Sequence, residues 1–436
     1  MMLADLLVMG GGAVAAAGML WHWRRIETFD TPGDPVAEAP PELRTAVLVV
    51  CDPGQLTLMW PALRLGRWDV GYPSIISAAY TSFGMTIEVQ ILGGQKLTDW
   101  TDPDTLDALA QYLAVPAVTA TGAGPGFVRL DLRVYDTLAD SAPVTDLLAY
   151  GVDLEAVPVG VTEDFDTWRL RVMYSHILIA GATSSGKGSV LWSIINGLGP
   201  AIKTGLVDIL LGDPKGGMEF GRGEDRLWTD FQWTADGIIA MLTTAEADMQ
   251  ERAARFKAAG VRKFTPSIEE PLTVIIIDEY AALSAFATRE QVTEGLRLLG
   301  LILTQGRAVG YSVIVALQDP SKENMPNRQL FSVRVGLRFD EPTQTSMVHG
   351  HGAKERGALC HDIPATTPGV AYVGADGSSR FVRVRAYWVD DDDADRIVDT
   401  YSPQQPDLSP QVDWTGFDPD DLGDSDSDSD SGRAAA

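Results

Sequence analysis

Residues 176–190, HILIAGATSSGKGSV, constrain what this chain can fold into more than any other stretch. Residues 177–180 are a short continuous apolar run, the pattern of a parallel strand buried on both faces. The run breaks at Gly181 into Ala182, Thr183, Ser184, Ser185, Gly186 and Lys187, and helix-compatible sequence resumes from Gly188. Strand, glycine-bearing loop and helix in that order form a phosphate cradle. The loop amides curl around the anion, the helix N-terminus adds positive dipole, and the lysine reaches the outer phosphates. Where the usual pattern has Ser or Thr to hold Mg2+, this chain has Gly188; Ser189 follows and can take that role if the helix starts one residue later. A Gly/Ser-rich turn with a surface lysine has the same composition, so the rest of the chain decides between the two.

Residues 274–280, VIIIDEY, follow Lys187 by about ninety residues. They read as a buried strand that delivers two acids at its tip. Asp278 would hold Mg2+, directly or through water, and Glu279 would orient and deprotonate an attacking water. Phosphoanhydride hydrolysis asks mainly for such positioning and charge. With the phosphate loop, these acids favour a P-loop ATPase using ATP and Mg2+. Gln318, at the end of the next strand-like run, is placed to sense the γ-phosphate; a strand-end Gln is equally an ordinary loop residue. Arg307, in TQGRAVG, reads either as an arginine finger reaching a neighbouring subunit or as a surface Arg at a helix end.

The elements around these motifs alternate. From residue 151, strands over 209–211, 273–277, 311–317, 331–339 and 369–373 are interleaved with helices over 235–258 and 295–304, an α/β sheet with its loops at the carboxyl ends of its strands. Before it, residues 46–150 read as a small α+β module. Residues 46–50, 86–92 and 127–135 are strand-like there, and 103–113 is a helix capped by Asp102. The 436 residues suffice for two or three domains, and 45% hydrophobic with 22% charged residues is ordinary for a globular chain. Cys51 and Cys360 are too few for a disulfide framework or a zinc site, which points to a reducing cytosol.

The flanks differ in kind. Residues 3–21 are apolar apart from Asp5, with Trp21, Trp23, Arg24 and Arg25 after them. That predicts a transmembrane anchor over 1–25 with the rest of the chain in the cytoplasm; a Gly/Ala-rich helix packed on a partner is the alternative. Residues 26–45 are proline-rich and read as a linker. The net charge is −26, and residues 390–436 contribute 15 Asp against 2 Arg. Residues 391–436 therefore read as an acidic disordered tail with an unknown partner. Such a balance argues against electrostatic coating of nucleic acid. Against it stand Arg252, Arg255, Lys257, Arg262 and Lys263, which make a locally basic stretch suited to DNA phosphates and equally to a solvated helix face.

Together the motifs resemble the FtsK/SpoIIIE family of DNA-pumping motors and, more narrowly, its actinobacterial plasmid-transfer (Tra) branch. The resemblance covers roughly residues 150–390. It rests on GVDLEAVPVGVTED before the loop, the GKGS form of the loop, GDPKGGMEF, ADMQERAARFKAAGVRKF, VIIIDEYAAL, QGRAVGYSVIVALQDP and FDEPTQTSMVHGHGAKERGAL, in that order. It implies a RecA-like motor over 151–390, assembled as a homo-hexamer around double-stranded DNA and moving it with ATP in conjugative transfer. An acidic stretch stands where larger members carry a winged-helix domain. A related ring ATPase that moves protein, as in type VII secretion motors, is the second reading; those chains usually string several motor domains together.

Overall fold

The computed structural model describes residues 35–144, 152–281, 287–322, 324–374 and 381–403. The expected anchor over 1–25 and the stretch from 404 onward lie outside these residues. Among those described, no helix is long and apolar enough to cross a membrane.

The first module begins with short helical turns and then α1 (Arg44–Cys51) and α2 (Pro53–Ala62). An antiparallel sheet follows from β1 (Ser74–Thr81), β2 (Gly84–Gln90), β3 (Ala117–Gly124) and β4 (Phe127–Arg133), in the order β1-β2-β4-β3. Helix α3 (Pro103–Leu113) enters as expected, with the Asp102 carboxylate accepting from the Thr105 amide. Strand β4 alternates buried and half-buried residues, the period of two read from its sequence. Trp60, Trp100, Met85 and Leu109 fill the core.

Two expectations fail here. Residues 46–50 form helix α1, not a strand. An unbroken apolar run carries no period of its own, and Leu43 outside the run decides it. Leu43, Ala46, Val47 and Val50 are buried while Leu48 is exposed, which is helical spacing. The expected linker also ends early, because Ala39 and Leu43 already lie in this core.

The second module is a ten-stranded mixed sheet. Its strands are β5 (Val157–Thr162), β6 (Thr167–Leu170), β7 (Ile177–Ala180), β8 (Val207–Gly212), β9 (Asp230–Gln232), β10 (Leu272–Ile277), β11 (Tyr311–Leu317), β12 (Val333–Gly336), β13 (Val370–Gly374) and β14 (Phe381–Ala386). The order is β6-β5-β14-β13-β12-β7-β11-β10-β8-β9, parallel from β12 to β9 and antiparallel on the other side. Helix α4 (Lys187–Lys203) packs on one face, and α5 (Ala235–Ala259) with α6 (Arg289–Gln305) on the other. The central strands are buried on both faces: Ile177 and Ile179 serve one core, Leu178 and Ala180 the other.

Residues 391–401 correct the expected tail boundary. They form helix α7 (Asp391–Tyr401), N-capped by the Asp390 carboxylate. Ala394, Ile397, Val398 and Tyr401 are buried at helical spacing, and the Tyr401 ring fills the space beside Gly199 of α4. Arg222 pairs with Asp391 and Asp395, and Arg226 with Asp399. Acidity dominated the composition there and hid four apolar residues that close the core.

Polar contacts join the first module to the second. Arg383 pairs with Asp136 at 2.7 Å, Arg385 donates to the carbonyls of Leu138 and Ala139, and Arg133 pairs with Glu163.

Candidate active site

Neighbouring strands β12, β7, β11, β10 and β8 end along one edge of the sheet, and each delivers a piece of one site. After β7 the chain makes the phosphate loop, Gly181 to Gly188, with α4 starting at Lys187. Gly186 has φ of 97° and lies so close to the Gly369 backbone that a Cβ would overlap it. Ser184, at φ of 58°, holds a left-handed conformation without being glycine, strain that concentrates at functional sites. Lys187 Nζ donates to the carbonyls of Gly181 at 2.7 Å and Ala182 at 3.1 Å, so the ammonium lies over its own loop. Burial pushes it down to about 8, against the pull of Glu279.

Strand β10 delivers Asp278 and Glu279, 1% and 5% exposed. Glu279 also holds positive φ, at 59°. Its Oε1 accepts from the Gln318 backbone amide at 3.1 Å, and its buried Oε2 has no partner among the described residues. Gln318, at the end of β11, accepts from the Thr183 hydroxyl at 2.9 Å. Lys187, Asp278, Glu279 and Gln318, chosen from sequence, therefore do come together.

Three further residues belong here that the sequence reading did not assign. Asp213 follows the end of β8, fully buried, and its carboxylate accepts from the amides of Lys215, Glu219 and Phe220. That loop aims Lys215 Nζ at Asp278 Oδ2, 2.8 Å away, and carries the Glu219 carboxylate to the start of α4. Burial and then the Asp278 charge push Glu219 up to about 7 and also raise Asp213. Burial lowers Lys215, and Asp278 beside it more than offsets that, raising it overall. The missed signal was positional: GDPKGGMEF follows a buried strand that ends at the same sheet edge as VIIIDEY. A fourth, Arg338 beyond β12, donates to the Thr183 carbonyl at 3.0 Å and pairs with Asp340.

The residues fit a nucleotide with Mg2+. Among the described residues Ser185 Oγ and Glu279 Oε2 are buried oxygens without partners, each costing about 1–3 kcal/mol if left so. Among the described residues no three His, Cys, Asp or Glu side chains form a ready metal cage. A nucleotide-bound Mg2+ needs only one or two carboxylates, because phosphate and water supply the rest. Asp278 fits that role. Ser189 fits it poorly: α4 begins at Lys187 rather than one residue later, so Ser189 is turned by about 100° from the direction position 188 faces.

The other sequence candidates lie elsewhere. Arg307 is exposed on a 3-10 turn just before β11, at the amino edge of the sheet, opposite its own phosphate loop. Arg252 cannot serve DNA from its present position. It is 7% exposed, paired with Glu270, and donates to the carbonyls of Pro271 and Val309. Arg255 also pairs with Glu270. Lys257, Arg262 and Lys263 are exposed. Phe264 packs on Gly310, which sets Arg262 and Lys263 beside the loop of Arg307.

With this geometry in place, the comparisons with known proteins are specific. Residues 152–270 match the FtsK/SpoIIIE family. Those residues carry an FtsK/SpoIIIE domain. Transfer protein TraSA of Streptomyces ambofaciens is 25% identical over 366 residues, 77% of this chain and 84% of that protein. DNA translocase FtsK of Bacillus cereus is 27% identical over 257 residues, 53% of this chain. The chain spans only 30% of that FtsK's length. The solved structure of the pCW3 conjugation coupling protein TcpA with ATPγS superposes with a TM-score of 0.52 at 20% identity, covering 79% of this chain and 98% of that one. At that identity it speaks for the fold: an α/β P-loop unit with a mixed sheet. The FtsK/SpoIIIE match runs from before the phosphate loop to just before β10, so it includes Lys187, Asp213, Lys215 and Glu219.

Proposed function

We propose that this chain is an ATP-driven translocase of double-stranded DNA acting in conjugative transfer. The observation that carries the enzymatic half is the convergence of Lys187, Asp278, Glu279 and Gln318 at one edge of the ten-stranded sheet, with Lys187 inside the stretch that matches the FtsK/SpoIIIE family. The DNA half is supported by the transfer protein and the FtsK translocases among its relatives.

The loop amides and Lys187 bind the phosphates, Lys187 exchanging the Gly181 and Ala182 carbonyls for phosphate oxygens. Mg2+, when bound, neutralises charge building on the transferred phosphoryl group, and Asp278 is the residue to hold it. Glu279 keeps Oε1 on the Gln318 amide and leaves Oε2 to take the proton of the attacking water. Gln318 joins that base to Thr183 in the phosphate loop, a path by which loss of the γ-phosphate reaches the following loop.

We read the working form as a RecA-like homo-hexameric ring. Support comes from Arg307, which is exposed at the sheet edge opposite its own phosphate loop and so is not placed to serve the phosphates bound there. We place the chain at the bacterial cytoplasmic membrane through residues 1–25 with the motor in the cytoplasm, a reading supported by their apolar run and following arginines. Deleting residues 1–25 should release the protein from membranes with ATPase activity intact. The deciding experiment measures ATP turnover of the full chain with and without duplex DNA at low salt. Stimulation is expected; no binding and no stimulation would hand the reading to a protein-moving ring ATPase.

A further inference from the structure

Position 188 is where the phosphate loop lacks the usual hydroxyl, and the space in front of it is filled. A Cβ at Gly188 would overlap Glu219 Oε1 and lie 2.9 Å from Glu219 Cδ. The carboxylate thus lies where a Ser or Thr side chain would begin. Its placement is not casual. Gly188 and Trp192 are four residues apart on one face of α4, and Phe220 stacks on Trp192 with ring centroids 5.2 Å apart. Phe220 is fully buried, and its carbonyl accepts from Trp228 Nε1 at 2.8 Å. Asp213 ties the amides of Glu219 and Phe220 at 3.2 and 3.4 Å. The strand ahead of this loop pairs with β10, Gly212 opposite Ile277, so the loop starts beside Asp278. Among the described residues no hydrogen bond or ion pair engages the Glu219 carboxylate.

We infer that Glu219 supplies the oxygen ligand for nucleotide-bound Mg2+ that Gly188 leaves out, so that Gly188 and Glu219 act as one exchangeable unit. This rests on the ATPase reading above. A carboxylate is a stronger hard-cation ligand than a hydroxyl, and a glycine is needed to admit it against the helix. Asp213 is then a positioning residue that holds the loop.

The test uses the full chain and the fluorescent analogue mant-ATP, titrated against Mg2+ and also in EDTA. In Glu219→Ala the Mg2+ concentration for half-maximal binding should rise about tenfold or more, as for loss of groups that support a metal site. Binding in EDTA should hold or tighten, because a negative charge near the phosphates is gone; Glu219→Gln, which keeps the shape, should behave alike. Adding Gly188→Ser to Glu219→Ala should bring the Mg2+ midpoint back toward wild type, whereas adding Gly188→Ala should not. An unchanged midpoint in Glu219→Ala, or equal rescue by Ser and Ala, would overturn the assignment and leave Glu219 as packing. Equal weakening in EDTA and Mg2+ would overturn it too. A wild-type chain that binds no mant-ATP at any Mg2+ would instead bring down the ATPase reading, and this assignment with it.

Discussion

The Thr183 hydroxyl donates to Gln318 Oε1 across 2.9 Å, joining the phosphate loop to the strand that lies between it and the acids. The Gln318 amide in turn donates to Glu279. Removing the side chain keeps the amide and breaks only the link to the loop. Gln318→Ala should therefore bind ATP within a few-fold of wild type and hydrolyse it roughly tenfold or more slowly. Parallel mant-ATP binding and turnover assays check this. A loss of affinity as large as the loss of rate would make Gln318 a nucleotide-binding residue instead.

Lys187 and Glu279 should separate binding from turnover. Lys187→Ala removes the only cation that the loop itself carries toward phosphate, so nucleotide binding should weaken. Glu279→Gln keeps shape and removes the base; ATP should still bind, with hydrolysis lowered about 10²-fold or more. Near-normal hydrolysis in Glu279→Gln would take that residue out of the role.

Arg252 and the Arg262–Lys263 pair should behave oppositely. Arg252 is buried and ion-paired, so Arg252→Ala should cost on the order of 3 kcal/mol of stability and lower the melting temperature. Replacing exposed Arg262 and Lys263 with Ala removes Lys263 Nζ from the Tyr174 ring, 5.0 Å away, and should lower melting far less than Arg252→Ala while lowering DNA-stimulated ATPase more than basal ATPase. The salt slope of DNA binding should flatten by about one or two units. If basal and stimulated rates fall together, the pair serves the ATP site or a subunit contact.

Helix α7 should be part of the folded core despite its charge. Tyr401→Ala opens a cavity beside Gly199 and should cost about 3 kcal/mol. Ending the chain after residue 390 should lower the melting temperature well below that of a chain ending after 403. Equal melting of the two truncations would return residues 391–401 to the tail.

Acid should weaken the fold before its ordinary carboxylates titrate. Burial first, and the Arg307 charge second, lower His176 to about 4; burial with Arg334 lowers His349 to about 3. Above the ordinary histidine value of 6.5 both states are neutral and nothing is lost. Below it the unfolded chain takes up protons that the folded chain refuses, a loss of up to about 1.4 kcal/mol per pH unit for each histidine. Glu219, held up at about 7, acts the other way between 7 and its ordinary 4.5 and offsets about one histidine, while Asp213 and Asp208, also raised by burial, oppose the loss closer to the ordinary carboxylate range. Calorimetric unfolding near pH 6 in buffers of different ionisation heat should show net proton uptake; net release would contradict it.

The parallel strands and the phosphate loop were legible in the sequence because local chemistry dictates them. Residues 311–317 read as a doubly buried strand and form one, and a glycine-bearing loop between strand and helix has few other uses. Asp102 and α3 were readable for the same reason, since a cap acts within one turn. What depended on distant partners was not readable. Whether residues 46–50 coil or extend was decided by Leu43 and the core they enter with Trp60 and Leu109, and α7 by the face of α4 waiting for Tyr401. Arg252 looked like a cation for DNA until Glu270 and the carbonyls ahead of β11 enclosed it. The glycine at 188 was visible as a departure. The carboxylate that fills its place comes from 31 residues further along the chain, and only the pairing of β8 with β10 and the docking of Phe220 on Trp192 bring it there.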